Sequence, residues 1–281
     1  MIPYPNIRPE IFRIGPLHIR WYGLIYVLGF IASYILIPRQ ERSREIGLQG
    51  SRVDSLVFYL FLGLITGARL GYILFYQYAD LGEFLLHPIQ IIAVWQGGLS
   101  FHGGLIGCIF AGWLFCKKAS MPFWAVADSV VVTAPIGLGL GRVGNFINGE
   151  LFGRPTGVPW AMVFPLGGPI PRHPSQLYEA FLEGAVLFAL LWVLRKKAFP
   201  DGIMISFFLL LYGAFRFFLE FFREPDAHLG LILGPLTMGQ VLSTAMMIAG
   251  LILAFMVIRR ARPSNPEEPP APVSEANQRP G

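Results

Sequence analysis

The sequence predicts an all-α polytopic membrane protein with seven transmembrane helices, and four features of its 281 residues carry this prediction. Hydrophobic residues make up 54% of the chain. Charged residues make up only 14%, whereas soluble domains carry roughly 25%. Apolar runs of about 20 residues, the length that crosses a bilayer, recur along the chain. The 32 glycines favour helices that pack closely in lipid. The leading class is therefore a membrane protein with several spans, and not a water-soluble globular domain.

The predicted spans are residues 19–38, 54–75, 90–116, 124–143, 176–194, 203–222 and 237–258. The third is long and contains the glycine-rich stretch GGLSFHGGLIG, so we expect it to tilt or to begin with a re-entrant piece. Irregular backbone is tolerated inside a membrane only where protein or a wet cavity satisfies its polar groups.

Basic residues cluster in the segments that follow the first, third, fifth and seventh spans, whereas residues 76–89 contain no lysine or arginine. The clusters are Arg39, Arg42, Arg44 and Arg52; Lys117 and Lys118; Arg195, Lys196 and Lys197; and Arg259, Arg260 and Arg262. Cytoplasmic loops are enriched in such residues, so we predict the N-terminus outside and the C-terminus in the cytoplasm. The same pattern indicates that the net charge of +5 reflects topology and not nucleic-acid binding.

Two regions lie outside the spans. Residues 144–175 are rich in proline and glycine but contain apolar islands, and we predict that they form a small extracytoplasmic cap. Residues 263–281, rich in proline and glutamate, are expected to form a disordered cytoplasmic tail, which leaves residues 1–262 as one transmembrane domain. The only two cysteines, Cys108 and Cys116, share one apolar run and are expected to pack without a disulfide or metal site.

Ionisable side chains within the spans need a reason, because each costs roughly 2.5–3.5 kcal/mol at the middle of a transmembrane helix. Given the predicted orientation, most of them fall in the outer half of the membrane, which indicates one polar site that opens outward. These side chains are Arg69, His102, Asp128, Arg142, Glu179, Glu183, Arg216 and Glu220.

The sixth span, LLLYGAFRFFLEFFREPD, carries a polar stripe on a helix coated with phenylalanine. Helical periodicity places its four polar members on one face. They are Tyr212, Arg216, Glu220 and Arg223. One interpretation is an internal ion pair between Arg216 and Glu220 that orients the helix. The other is that Arg216 binds an anion and that Glu220 holds Arg216 in place.

A second cation lies in the polar stretch GRVGNFINGELFG, which directly follows an apolar run. If the helix continues, Arg142 and Asn145 share a face and Asn148 lies near it. Two arginines from different helices suit a phosphodiester, because arginine can bind phosphate bidentately. The alternative is a helix C-terminus capped by asparagine and glycine. That alternative accounts for Gly149 but not for Arg142 together with Asn145 and Glu150.

His102 lies between glycines and apolar residues in LSFHGGLIG. A lone histidine there is ordinarily a hydrogen-bonded packing residue, but a neutral imidazole also accepts a proton from a thiol or hydroxyl near pH 7. Ser100 is two residues away and does not face His102 on a helix, which argues against a hydrolase pair. Tyr22 is predicted either as an interface anchor or with its hydroxyl in the site. His173 and Gln176 are expected to cap or begin the fifth span, and the sequence leaves a functional role for them open.

Taken together, these motifs resemble the bacterial prolipoprotein diacylglyceryl transferase family over almost all of residues 10–260. Six motifs in the same order carry the resemblance: HIRWYGLIYVLGF, GARLGYILFY, WQGGLSFHGG, GRVGNFINGELFG, HPSQLYE and YGAFRFFLEFFREPD. The fourth resembles the family signature. Important family positions match Tyr22, His102, Arg142, Asn145, Glu150, Gly153, Tyr212, Arg216 and Glu220.

The resemblance implies an enzyme that moves the diacylglyceryl group of phosphatidylglycerol to the thiol of the lipobox cysteine in a prolipoprotein signal peptide. A thioether forms and glycerol phosphate leaves. The family is expected to need no metal and no cofactor. The resemblance also places the transmembrane catalytic domain in the bacterial cytoplasmic (inner) membrane, with its active site toward the periplasmic side. It leaves the oligomeric state open.

This chemistry gives each candidate residue an expected role. Arg142 and Arg216 would stabilise the charge that grows on the phosphate oxygens, an electrostatic contribution that is often the largest in catalysis. His102 is the candidate base for the cysteine thiol. Asn145 and Asn148 would hydrogen-bond the head group, and Tyr22 and Tyr212 would hydrogen-bond the ester or phosphate. Glu150 and Glu220 would orient the arginines. Gly153 would contribute to the substrate-binding site.

Three other classes of function are less consistent with the sequence. A membrane transporter of a small phosphorylated anion would also use buried arginines, but transporters usually contain internal repeats, and none is found here. A non-catalytic scaffold has no need for so many ionisable groups in lipid. An intramembrane protease lacks a plausible nucleophile pair.

Overall fold

A computed structural model describes residues 2–5, 7–15, 17–78, 81–225, 231–233 and 236–261 of the chain. Most of these residues are helical. The elements in chain order are β1 (Glu10–Ile14), β2 (Leu17–Arg20), α1 (Trp21–Leu36), α2 (Glu41–Glu45), α3 (Ser51–Tyr76), α4 (Leu81–Leu86), α5 (Ile89–Ile92), α6 (Phe101–Ala119), α7 (Phe123–Val131), α8 (Ala134–Asn148), α9 (Ser175–Glu179), a π-helical turn (Ala180–Val186), α10 (Leu187–Leu194), α11 (Ile203–Leu219), β3 (Leu231–Leu233), β4 (Leu236–Thr237) and α12 (Met238–Ala261). The predicted tail, residues 263–281, lies outside the described residues.

Among the described residues, five helices are long and apolar enough to cross a membrane. They are Trp21–Arg39, Ser51–Tyr76, Phe123–Asn148, Ser175–Leu194 and Met238–Ala261. Helix α11 is apolar but shorter, and α6 occupies the third predicted span. The predicted class, a helical protein with several membrane-spanning segments, agrees with this architecture. The count of seven spans and the orientation stay predictions.

Two short antiparallel hairpins, absent from the predicted all-α architecture, accompany the helices. In the first, β1 pairs with β2 so that Glu10 lies opposite Arg20 and Ile14 opposite Leu17. Gly15, with a φ of 58°, supplies the left-handed backbone that the turn between these strands requires. The second hairpin pairs β3 with β4 directly before α12.

Within the third predicted span, residues 90–116, the long helix α6 begins only at Phe101. Residues 89–100 contain α5, a 3-10 turn, and two glycines with positive φ, Gly97 and Gly98. Arg69 on α3 donates hydrogen bonds of 2.5–3.1 Å to four carbonyls of this segment: those of Gln90, Ile91, Gly97 and Gly98. The irregular start expected from the glycines is present, and protein donors satisfy its backbone.

Helices α3 and α6 approach so closely that side chains are excluded between them. A Cβ at Gly71 would lie 2.7 Å from the Cα of Gly103, and one at Gly67 would lie 2.8 Å from the Cα of Gly107. Glycines spaced by four residues form one stripe on each helix, which permits close backbone contact between membrane helices. This contact fixes α6, and therefore His102 in its first turn, relative to α3.

Helix α8 packs in the same way against the π-helical turn. A Cβ at Gly139 would lie 2.7 Å from the Cα of Gly184. Arg142 follows Gly139 by one turn, and Glu183 directly precedes Gly184. The close approach therefore holds these two charged residues near each other.

Helix α11 is anchored at the end opposite its charged stripe. The buried carboxylate of Asp128 on α7 accepts hydrogen bonds from the backbone N–H groups of Gly202, at 2.7 Å, and Ile205, at 3.0 Å. These are N–H groups of the first turn, which have no partner within the helix. Nearby, Arg42 forms a bidentate pair with Asp201 at 2.7 and 2.8 Å. The costly Asp128 thus has a structural role.

The predicted cap has a small core of its own. Phe146, Met162 and Phe164 are buried together and contact Tyr4, whose hydroxyl donates to the carbonyl of Phe146 at 2.7 Å. Short backbone bridges join residues 153–155 to residues 172 and 223. The cap therefore packs on the C-terminal end of α8, while its extracytoplasmic location stays a prediction.

Candidate functional site

Six charged side chains meet where α8, α9, the π-helical turn and α11 pack together. We call them the Arg–Glu cluster: Arg142, Glu179, Glu183, Arg216, Glu220 and Arg223. Glu179 and Glu183 are separated by four residues, so both point to one side of their helix. The π-helical turn begins directly after Glu179 and contains Glu183, and such turns occur frequently at functional sites.

Arg142 and Arg216 converge on the same carboxylate oxygen. The Oε2 atom of Glu179 lies 2.8 Å from Arg142 Nε and 3.5 Å from Arg216 Nη1. The carboxylate is completely buried, whereas the Arg142 side chain is 21% exposed and that of Arg216 is 14% exposed. The predicted meeting of the two guanidinium groups is therefore observed, and it lies close to the protein surface.

Arg216 also forms the ion pair predicted within the stripe of the sixth span. Its Nη2 lies 2.7 Å from Glu220 Oε2. The hydroxyl of Thr237 donates to Glu220 Oε1 at 3.0 Å, and a Cβ at Gly239 would lie 2.6 Å from the same carboxyl group. The end of β4 and the first turn of α12 therefore fix Glu220, and Glu220 orients Arg216. The ion-pair and anion-site interpretations of the stripe are compatible, since Arg216 has further donors.

Arg223 completes the cluster, although it follows the end of α11. Its Nη1 lies 3.5 Å from Glu179 Oε1. The six side chains thus comprise three cations and three anions whose formal charges cancel. Buried charges are tolerated where opposite charges compensate them, which explains how this cluster exists within a helical membrane protein.

The stretch GRVGNFINGELFG forms the end of α8 and the turn that follows it. Gly149 is left-handed, with a φ of 67°, as expected for a helix C-terminus. Beyond this turn, Glu150 Oε1 accepts hydrogen bonds from the amides of Asn145, at 2.9 Å, and Asn148, at 3.1 Å. We expected Glu150 to orient the arginines. Its carboxylate instead folds back over the helix end and orients the two amides.

Two tyrosines predicted in the site lie beside α8. Tyr22 packs on Gly144, where a Cβ would lie 3.0 Å from its ring, and its hydroxyl is 3.3 Å from that of Tyr26. Tyr212 lies next to Arg142 and interacts with it electrostatically. Both tyrosines therefore border the helix that carries Arg142.

His102 is exposed in the first turn of α6. Among the described residues, no contact links it to the Arg–Glu cluster. Its ring meets that of Phe101 edge to face, with centroids 5.7 Å apart. Ser100 is buried and caps the helix, because its hydroxyl accepts a hydrogen bond from the Gly103 N–H at 3.3 Å. The geometry of Ser100 thus agrees with the argument against a Ser–His pair. The role of His102 as a base stays a prediction.

Gly153, a predicted site residue, is enclosed by backbone. A Cβ there would lie 2.7 Å from both the Cβ and the carbonyl oxygen of His173, and it would collide with the carbonyl oxygen of Phe222. The Gly153 N–H donates to the His173 carbonyl at 2.9 Å. Gly153 therefore joins the cap to the end of α11, and its structural role is to leave no side chain where the backbone segments meet.

The residues that begin the fifth span also have defined partners. The amide of Gln176, completely buried, donates to the Glu150 carbonyl at 2.7 Å. His173 Nδ1 is 3.2 Å from the Tyr178 hydroxyl, which also accepts a 2.6 Å hydrogen bond from Trp160 Nε1. Burial lowers the pKa of His173 below its usual value of 6.5. These contacts connect the cap to the helix that carries Glu179.

The sequence predicts no functional role for Glu179 and Glu183, although both carry a charge that is costly within a membrane span. The sequence places Arg223 on the polar stripe but predicts no particular interaction for it. The signal that identifies them is a pair of glutamates four residues apart within an apolar span, opposite a second span with arginines. Within the described ranges, no group of three or more His, Cys, Asp and Glu side chains is arranged to hold a metal ion.

The fold and the cluster define the class: a helical, multi-pass membrane protein with a compensated group of arginines and glutamates between its helices. Sequence comparison then identifies the family. A family model described as Prolipoprotein diacylglyceryl transferase matches residues 9–256. The chain belongs to the prolipoprotein diacylglyceryl transferase family.

Individual relatives carry the name phosphatidylglycerol–prolipoprotein diacylglyceryl transferase. The relative from Geobacter sulfurreducens is 52% identical over 257 residues, which cover 92% of this chain and 98% of the relative. The one from Desulfotalea psychrophila is 50% identical over 264 residues, with 92% and 96% covered. The one from Vibrio vulnificus strain CMCP6 is 52% identical over 260 residues, with 92% and 94% covered.

Proposed function

We propose that this chain transfers the diacylglyceryl group of phosphatidylglycerol to a cysteine thiol of prolipoproteins. Family membership and the names of relatives that are 50–52% identical support this function. The structural observation that carries it is the convergence of Arg142 and Arg216 on one buried carboxylate oxygen, at 2.8 and 3.5 Å. Two guanidinium groups held together match the geometry of a phosphate group.

The reaction defines what the cluster has to stabilise. The cysteine sulfur attacks the glyceryl carbon, a carbon–sulfur bond forms, and the carbon–oxygen bond to phosphate breaks. The electron pair of the broken bond goes to the phosphate oxygen, and the thiol proton goes to a base. Negative charge therefore grows on the phosphate, where Arg142 and Arg216 would stabilise it electrostatically.

The other predicted residues have proposed roles around this charge. His102, exposed at the start of α6, would accept the proton from the thiol, since an imidazole does so near neutral pH. Tyr212 and Tyr22 would bind the ester or phosphate. Asn145 and Asn148, oriented by their common acceptor, would hydrogen-bond the head group.

The arrangement in the membrane is also part of this proposal. Seven spans would place the Arg–Glu cluster toward the outer side of the bacterial inner membrane, with the cap outside. Residues 1–262 would form the transmembrane catalytic domain and residues 263–281 a cytoplasmic tail. The peptide substrate would be the lipobox region of a prolipoprotein signal peptide, presented from the outer side.

Mass spectrometry tests the function directly. The purified chain is incubated with a lipobox peptide and phosphatidylglycerol, and we expect the mass gain of one diacylglyceryl group on cysteine. A peptide with serine in place of cysteine and a reaction without phosphatidylglycerol are the controls. An unmodified peptide, with active enzyme from a relative working in parallel, would refute the proposal. Flux of a phosphorylated anion into proteoliposomes without peptide modification would favour a transporter.

A further inference from the structure

Among the three carboxylates of the Arg–Glu cluster, Glu183 is the one whose described distances to arginine nitrogens are all 3.6 Å or longer. Its side chain is completely buried. Its Oε2 lies 3.6 Å from Arg142 Nε, and its Oε1 lies 3.9 Å from Arg216 Nη1. Neither oxygen has a hydrogen-bond donor among the described residues. Glu183 therefore acts on both guanidinium groups through charge and uses up none of their hydrogen-bond donors.

The packing around Glu183 prevents it from withdrawing. The next residue, Gly184, touches α8 at Gly139, where a Cβ on Gly184 would lie 2.6 Å from the Gly139 Cα. Buried carboxylates normally accept hydrogen bonds, and a buried carboxylate without them is unfavourable. A residue that only stabilised the fold would gain from closer contact with Arg142. Its position instead suits a function that depends on negative charge near the two arginines.

We propose that Glu183 is a positioning residue that lowers the affinity of the Arg142–Arg216 pair for phosphate, so that the phosphorylated product is released. This inference rests on the proposed function. The lipid phosphodiester carries one negative charge, whereas glycerol phosphate, a phosphomonoester, carries about 1.5 to 2 near pH 7. Repulsion by Glu183 is therefore up to twice as strong for the product as for the substrate. Product release limits turnover in many enzymes.

The variant Glu183→Gln removes the charge and keeps the shape. We expect the inhibition constant of glycerol phosphate to fall about tenfold and that of the monoanionic diester glycerophosphoglycerol to fall about threefold. The reason is that the repulsion free energy is proportional to the charge of the ligand, so a ligand with half the charge shows half the change in the logarithm of its inhibition constant. Single-turnover transfer should stay at or above the wild-type rate, while steady-state turnover falls. The reaction should then show a burst followed by a slow phase. Calorimetric titration with glycerol phosphate measures the same change in affinity without turnover.

Two further variants complete the test. Glu183→Asp draws the carboxylate back by one methylene, so the inhibition constant should fall in the same direction by about twofold, even where the glutamine variant does not fold. Glu41→Gln removes a carboxylate from an arginine pair outside the cluster, Arg195 Nη1 to Glu41 Oε2 at 3.4 Å, and should change neither constant.

Weaker or unchanged glycerol phosphate binding in both Glu183 variants would overturn the inference, because loss of a purely structural contact weakens binding of both anions alike. Equal changes for the diester and the monoester would also overturn it. Failure of the proposed function would be seen separately, as a wild-type chain that does not modify the lipobox peptide.

Discussion

Arg216→Ala is the most direct perturbation of the proposed phosphate site. In the structure the Arg216 guanidinium is held by Glu220 at 2.7 Å and lies 3.5 Å from Glu179. The substitution removes one of the two cations that meet at Glu179 and leaves Arg142 in place. Arg216→Lys keeps the charge but loses the planar fork of donors that binds phosphate bidentately.

The expected magnitude follows from charge and distance. Two unit charges about 4 Å apart interact by about 4 kcal/mol at an effective dielectric constant near 20. Removal of one donor that stabilises a developing oxyanion costs about 10²–10³-fold in turnover. We therefore expect Arg216→Ala to lower kcat/KM by about 10³-fold and Arg216→Lys by about tenfold.

Transfer of diacylglycerol to a lipobox peptide in detergent micelles measures these values, and thermal unfolding shows whether each variant is folded. Folding needs this check, because a buried carboxylate left without its partner costs about 3–5 kcal/mol. Arg42→Ala is the matched control, since it breaks the pair with Asp201 at the opposite end of α11. A folded Arg216→Ala enzyme within tenfold of the wild type would refute the phosphate-site argument.

Four other substitutions test neighbouring parts of the site. Gly153→Ala should lower the midpoint of thermal unfolding in detergent, because its Cβ would lie 2.7 Å from backbone and side-chain atoms of His173. Gly239→Ala should lower kcat in the peptide assay, because its Cβ would displace the carboxylate of Glu220, only 2.6 Å away; unchanged turnover would contradict the role of Glu220. His102→Gln should lose transfer near pH 7 if His102 is the base, and full activity there would exclude that role. Because burial lowers the pKa of His173 below 6.5, the unfolded chain binds this proton more readily, so stability should fall as the pH is lowered through about 6.5. In a pH series of unfolding midpoints, His173→Gln should reduce that fall, and an identical series would exclude His173 as its source.

The positions of the helices were predictable because each depends on a local property, an apolar run long enough to cross a bilayer. Helices α3 and α12, for example, lie within a few residues of the predicted spans. The start of α6 was not predictable in this way. It depends on Arg69, which belongs to another helix and binds the carbonyls before Phe101. Periodicity within one segment does not contain that contact.

The site residues also fall into those that a local property of the sequence predicts and those that depend on contacts between helices. The free-energy cost of a charged side chain inside a membrane identified Arg142 and Arg216 as candidates, and both lie in the Arg–Glu cluster. Glu150 was expected to orient the arginines, whereas its carboxylate accepts hydrogen bonds from Asn145 and Asn148, which offer donors at the same helix end. Pairing across helices, such as that of Arg142 with Glu179, depends on the Gly139–Gly184 contact, which single-segment patterns do not reveal.

The balance of charge explains why the two arginines need so many carboxylates. Guanidinium groups that share one oxygen of Glu179 repel each other, and a low-dielectric surrounding strengthens that repulsion. Glu179, Glu183 and Glu220 offset it, so the arginines stay together before any lipid arrives. An anion that enters must then compete with these carboxylates, which weakens binding of the lipid head group, whereas the charge added to the phosphate during bond cleavage finds both arginines already in position. A compensated cluster of this kind would therefore favour the transition state over tight binding of the lipid itself.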